Sequence, residues 1–251
     1  MKKYIAAVIV FALLCSLAAC NVVTAVSGET KNYALTSDIR ALEIQINAAD
    51  FKIEQAEAFA VQSNLKYLSV TEQNGVLTIV DNAPSASSYT DAALTLYVPA
   101  GTVFDQVDIE TGAAKMTADT LSAAVLDLEL GAGDVHFDRL DVSEDAEIQG
   151  GAGQIAVAEG TLRDLTLELG AGELNLNVAL LGESDLEFGI GTSHLTLLGS
   201  KDDYRVEVTK GLGSVCLDGQ DILDFGSAGN GENRIEITGG VGAVHISFRT
   251  P

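Results

Sequence analysis

The chain has no tryptophan, only 6% aromatic residues, and three prolines in 251 residues. Without large rings, a core must be thin and filled by Leu, Val and Ile. With proline scarce and glycine abundant (25 residues), glycine does most of the turning. Basic residues are also in short supply: 14 Lys and Arg face 36 Asp and Glu, giving a net charge of −22. That balance excludes nucleic-acid binding, whose affinity rests on cationic side chains against phosphate. It favours solubility, association with cations and basic partners. The length suits one large β domain or two small ones, and no stretch reads as an interdomain linker.

The longest apolar run lies at the N-terminus. Lys2 and Lys3 precede an apolar stretch, Ile5 to Leu14, and then Leu17-Ala18-Ala19-Cys20. A basic start, a short apolar core and small residues before a cleavage point describe a secretory signal. The apolar stretch is short for a membrane span. Its ending resembles a bacterial lipobox, which implies cleavage before Cys20 and a lipid on the Cys20 sulfur. The expected division is a signal over 1–19, a tether over 20–31 and one β-repeat domain over 32–251. Cys15 would leave with the signal and Cys20 would carry lipid. Cys216 is then the only thiol, and no intrachain disulfide framework remains.

From Val107 to Phe248 one unit recurs: a short alternating strand, a Gly-x-Gly corner and a second alternating strand. LDLELGAGDVHF (126–137) and LTLELGAGELNL (165–176) are the clearest copies. The first glycines are Gly112, Gly131, Gly151, Gly170, Gly189, Gly211 and Gly240, spaced by 19, 20, 19, 19, 22 and 29 residues. A near-constant period of this size marks a stacked repeat whose copies bury their apolar faces against one another. Three residues before each first glycine stand Ile109, Leu128, Ile148, Leu167, Leu186, Val208 and Ile237. Apolar and polar positions alternate around them, the period-2 signature of half-buried strands. The expected fold is all-β: a β-solenoid of two-strand coils, each about 19–20 residues. The alternative is an antiparallel sandwich of hairpins. The 105–248 stretch holds the regular repeats, and 32–104 the atypical N-terminal strands. In the latter, IRALEIQINAADFKI (39–53) looks like a diverged first copy, and Asn74-Gly75 between alternating segments signals a hairpin. The insertion 219–233 accounts for the long last spacing. Its Ile222, Leu223 and Phe225 are expected to fold back as a cap.

The outward columns before each corner are acidic. Asp108, Asp127, Glu147, Asp185, Glu207 and Glu236 stand four before the first glycine. Glu110, Glu129, Glu168 and Glu187 stand two before it. Like charges opposed on neighbouring strands destabilise a sheet. The structural reading is solvation and protection against association. The functional reading is a face that gathers divalent cations or basic partner groups. A calcium roll is excluded, since its unit has nine residues and Asp134 is replaced by Gln154, Glu173, Thr192 and Ser214 in other copies. A phosphate loop is excluded because no helix follows any corner.

All three histidines fall in one column after the corner, which places His194, Cys216 and His245 on one outward ladder. Imidazole and thiolate are transition-metal ligands. A straight ladder spreads the outer pair beyond one ion's easy reach, so coincidental surface placement is the preferred reading, with no metal or cofactor expected. No Ser-His-Asp or Cys-His-Asn context supports catalysis, and the protein is expected not to be an enzyme. A carbohydrate-active enzyme is a less favoured alternative.

Five segments carry a family resemblance: LEIQINAADFKIE, NGVLTIVD, LTLYVPAG, the serial xLxLxxGxGxL units and the closing ITGGVGAVHISF. With them the chain resembles the bacterial putative-adhesin family of β-strand-repeat proteins, a domain of unknown function, over residues 39–248. The resemblance implies a solenoid-like domain on the cell envelope and no assigned reaction. The expected role is a lipid-anchored surface-interaction scaffold on the extracytoplasmic side of the membrane, with an envelope protein or cell-surface partner. An envelope-stress or signalling accessory is the alternative.

Overall fold

A computed structural model describes residues 24–36, 38–84, 87–221 and 226–250. The lipobox, with Cys20, and the expected cap residues Ile222, Leu223 and Phe225 lie outside the described residues. Among the described residues there is no α-helix, and the helical content is a single 3-10 turn at Lys201–Asp203.

The repeats stack as parallel coils in strict register. Val107 pairs with Leu126, Ile109 with Leu128, Ile148 with Leu167, and Leu167 with Leu186. The inward columns are almost wholly excluded from water, as the alternation requires. The solenoid expectation therefore holds, and the sandwich of hairpins does not. The coils have a third side as well. Leu140–Val142 lies beside Gly160–Leu162, and Thr161–Arg163 lies beside Ala179–Leu181, all in parallel register. Leu140, Leu162 and Leu180 from this side close a triangular core.

The Gly-x-Gly corners are bends within continuous ladders. Pairing runs through them, with Ala152 opposite Ala171, Gly153 opposite Gly172, and Gly172 opposite Gly191. Strand structure is unbroken from Lys115 to Val157. Glycine is obligatory here for a stacking reason. A Cβ on Gly172 would stand 1.8 Å from the Gly153 carbonyl oxygen, and its φ of +151° also disfavours other residues.

At both ends the spatial order departs from the sequence order. Ala41–Ile46, first of the repeats in sequence, lies between Phe104–Ala113 and Val76–Asp81. Asp50–Ala56 likewise lies between the chain around Lys115 and Ala93–Pro99. The mirror arrangement holds at the C-terminal end. The final strands, Asn233–Thr238 and Val241–Arg249, slot between Glu183–Leu198 and the strands Tyr204–Thr209 and Ser214–Leu217. The long 219–233 insertion is the connection that lets the chain double back. Each end of the repeat is thereby locked as an interior coil.

Antiparallel strands cover the exposed ends, which limits edge-to-edge association. Leu68–Gln73 pairs with Val76–Asp81 through a turn in which Asn74 and Gly75 both have positive φ, the hairpin the sequence signalled. Ala60–Leu65 pairs with Ala93–Pro99, and Ser27–Ala34 pairs with Ala60–Leu65. Among the described residues, strand structure begins at Thr24–Ala25, which pairs with Ser87–Ser88, inside the stretch read as a tether. The polar pattern SGETKNYA suits an outermost strand with little to bury. At the other end Gly226–Ala228 and Gln220–Asp221 pair antiparallel with the outermost coil, Tyr204–Thr209 and Ser214–Leu217.

Candidate functional site

Register turns the acidic columns into ladders. Glu43, Asp108 and Asp127 occupy successive rungs, and the charge of Glu147 acts on Asp127 from the next coil. Beside them Glu110 opposes Glu129, and Glu168 opposes Glu187. Thr166 interrupts the first column, which resumes with Asp185 opposite Glu236 and Glu236 opposite Glu207. Glu43 belongs to this face although its copy was too diverged for the column to be read from sequence.

The carboxylates differ in their partners. Arg234 bridges Glu207 and Glu236, and Arg205 also pairs with Glu207. The Arg234 contact, together with charge from Arg205, holds the Glu207 carboxyl below its ordinary range. Two arginines thus offset the charge of Glu207 and Glu236 at this end of the ladder. The other end has no cation in the column. Burial, reinforced by the charges of Glu43 and Glu110, pushes the Asp108 carboxyl up. Burial and then Glu147, Asp108 and Glu129 do the same for Asp127. Asp127 Oδ1 is out of contact with solvent and accepts no hydrogen bond. Glu110 accepts one from Gln45 Nε2 at 2.8 Å, and Glu147 one from Gln149 Nε2 at 2.6 Å.

Along the stack, Glu110, Glu129, Glu168 and Glu187 line an open groove of about 810 Å³. The first glycines Gly112, Gly131 and Gly151 line it as well, together with Leu130, Leu169 and Phe188. The trough follows directly from the repeat. Glycine is forced at the corner by coil stacking, and the residue two before it must point outward.

Among the described residues, no three His, Cys, Asp or Glu side chains converge closely enough to hold a metal ion. The acidic ladder is an extended field with no preformed chelate in it. His194, Cys216 and His245 do share one ladder, but the doubled-back last coil changes their order. His245 pairs with His194 on one side and Cys216 on the other. The third histidine, His136, is far along the column and contacts Asp138 Oδ1 at 2.9 Å.

The model of a known family, Toastrack DUF4097, matches residues 39–227. The chain belongs to the Toastrack DUF4097 family. Toastrack is a β-solenoid-like fold, in keeping with the register described above. Two solved structures share the Toastrack chain's architecture. A putative adhesin from Bacteroides fragilis aligns with TM-score 0.53 and 10% identity, over 88% of this chain and 99% of that one. A putative adhesin from Parabacteroides distasonis aligns with TM-score 0.50 and 14% identity, again over 88% and 99%. At these identities the likeness speaks to fold alone. No curated protein matches the chain.

Proposed function

We propose that this protein is an exported, lipid-anchored interaction scaffold of the cell envelope. Its acidic groove receives the basic groups of a partner protein or a cell-surface partner and gathers divalent cations around them. No catalytic step is assigned to it. The observation that carries this reading is the groove lined by the in-register carboxylates of Glu110, Glu129, Glu168 and Glu187, beside a neighbouring acidic column that has no cation over the Glu43–Glu147 stretch. Clefts lined by one sign of charge concentrate and steer partners of the other sign. The adhesin descriptions of the two structural neighbours agree with a surface role.

The anchor reading rests on the lipobox-like Leu17-Ala18-Ala19-Cys20 after the basic and apolar start. Cys20 lies four residues before Thr24, a reach of roughly 14 Å at full extension. Thr24 sits at the N-terminal end of the stack. A lipid on Cys20 would hold that end at the membrane and leave the groove running outward. In the producing cell, Cys20→Ser is expected to shift the protein from the membrane fraction to the soluble exported fraction. Retention in the membrane would sink the anchor. For the groove, a thermal melt at constant ionic strength is expected to show stabilisation by millimolar calcium. No shift would remove cation gathering from the proposal. An envelope-stress accessory acting on a membrane partner uses the same groove, and crosslinking in intact cells would recover that partner.

A further inference from the structure

We propose that His194 and His245 form a binding site for a divalent transition cation of the imidazole-preferring class, such as Zn²⁺ or Ni²⁺. The two residues are direct rungs of a parallel ladder, though 51 positions apart in sequence. Their rings stack with centroids 5.0 Å apart and planes 12° apart. One ion takes imidazole nitrogens at about 2.0–2.1 Å, so two ligand nitrogens stand about 3–4 Å apart. Imidazole lone pairs lie in the ring planes, so the two stacked rings must turn out of their near-parallel arrangement to aim one nitrogen each at the same ion. Both side chains are exposed and free to make that movement. With two protein ligands, water would complete the coordination.

The pair exists because the last coil inserts before the 204–217 coil. In sequence order Cys216 would separate the two imidazoles by a rung. The site does not depend on the acidic groove. Oxygen ligands suit Ca²⁺ and Mg²⁺, whereas imidazole suits Zn²⁺ and Ni²⁺. Excess magnesium therefore saturates the carboxylates and leaves the pair available.

Titration calorimetry of the purified protein with Zn²⁺, and separately with Ni²⁺, in excess magnesium tests the site. One ion per chain is expected. His194→Gln and His245→Gln should each weaken binding by on the order of a hundredfold, the gain from holding a second ligand at high local concentration. Cys216→Ser and His136→Gln should change it by less than about threefold, well under the loss of one ligand. All four positions are partly or fully exposed, so folding is not at stake. Absence of binding, binding unmoved by either His194→Gln or His245→Gln, or loss of binding in Cys216→Ser would overturn the proposal. The groove's affinity for basic groups is unaffected in every one of these outcomes.

Discussion

Replacing Gly172 with alanine puts a methyl group where the stack has no room. The added Cβ would stand 1.8 Å from the Gly153 carbonyl oxygen, 2.9 Å from its carbon and 3.0 Å from the Gly153 nitrogen. These are backbone atoms and cannot swing aside. The two coils must part by more than about 1 Å to restore ordinary contact. Gly172 pairs with Gly153 and with Gly191, so parting the coils strains the ladder on both sides. Losing about two ladder hydrogen bonds costs ~2 kcal/mol. The positive φ of +151° adds ~1–2 kcal/mol for any residue with a Cβ. A loss of about 3–4 kcal/mol follows, against a whole-domain stability of about 5–15 kcal/mol. Gly101 separates sterics from backbone preference. Its φ is +80°, and an added Cβ there would meet nothing within 4 Å. Gly101→Ala should cost only about 1 kcal/mol. Urea denaturation followed by far-UV circular dichroism measures both. Equal losses in the two variants would refute the stacking explanation of the glycine columns.

Three further outcomes are expected. Leu128→Ala removes a fully buried side chain between two coils and should cost about 3 kcal/mol in the same assay. Ser184 occupies an inward column where the other coils carry Leu, Val, Ile or Ala, and its buried hydroxyl has no hydrogen-bond partner. Ser184→Ala should therefore stabilise the fold by about 1 kcal/mol, and a loss of stability would show that the hydroxyl is satisfied. Asp127 has its carboxyl held above the ordinary range, so the folded chain binds a proton there more readily than the unfolded chain. The resulting penalty is absent below the unfolded pKa, grows as pH rises through the raised folded value, and is complete at neutrality. Asp127→Asn should gain about 0.5–1 kcal/mol at pH 7. That gain should vanish below about pH 3.5, where both states are protonated. A gain that is larger in acid would reverse the sign of the argument.

Much of the architecture is legible in the chain because the repeat constrains each column twice. Ile109, Leu128 and Leu167 must face inward to alternate, and Gly131 and Gly151 must lack a Cβ to stack. The coil order was not legible. Nothing local in the 233–249 segment says that it inserts beside 183–198, since its pattern fits either neighbour. Only the unusually long connection before it hints at a return. The third side was also hidden. Leu140, Leu162 and Leu180 lie in short runs without a Gly-x-Gly corner to mark them. Strand Ser27–Ala34 escaped because an outermost strand carries polar residues and reads like a tether. For the site, the acidic columns were visible by position. Which acids stay unpaired was not, because Arg234 comes to Glu207 from 27 residues away through the doubled-back coil.

The acidic groove as the interaction surface is tested most directly by affinity for an extended lysine-rich peptide, compared between two charge-matched variants. One carries Glu110→Gln, Glu129→Gln, Glu168→Gln and Glu187→Gln in the groove lining. The other carries Glu57→Gln, Glu144→Gln, Asp145→Asn and Asp202→Asn at exposed positions elsewhere. Each removes four negative charges. The groove variant should lose about tenfold or more in affinity, about 1.4 kcal/mol, with a shallower salt dependence. The matched variant should lose less than about threefold. Equal losses would mean that bulk charge alone attracts the peptide, and that the groove is not the interaction surface.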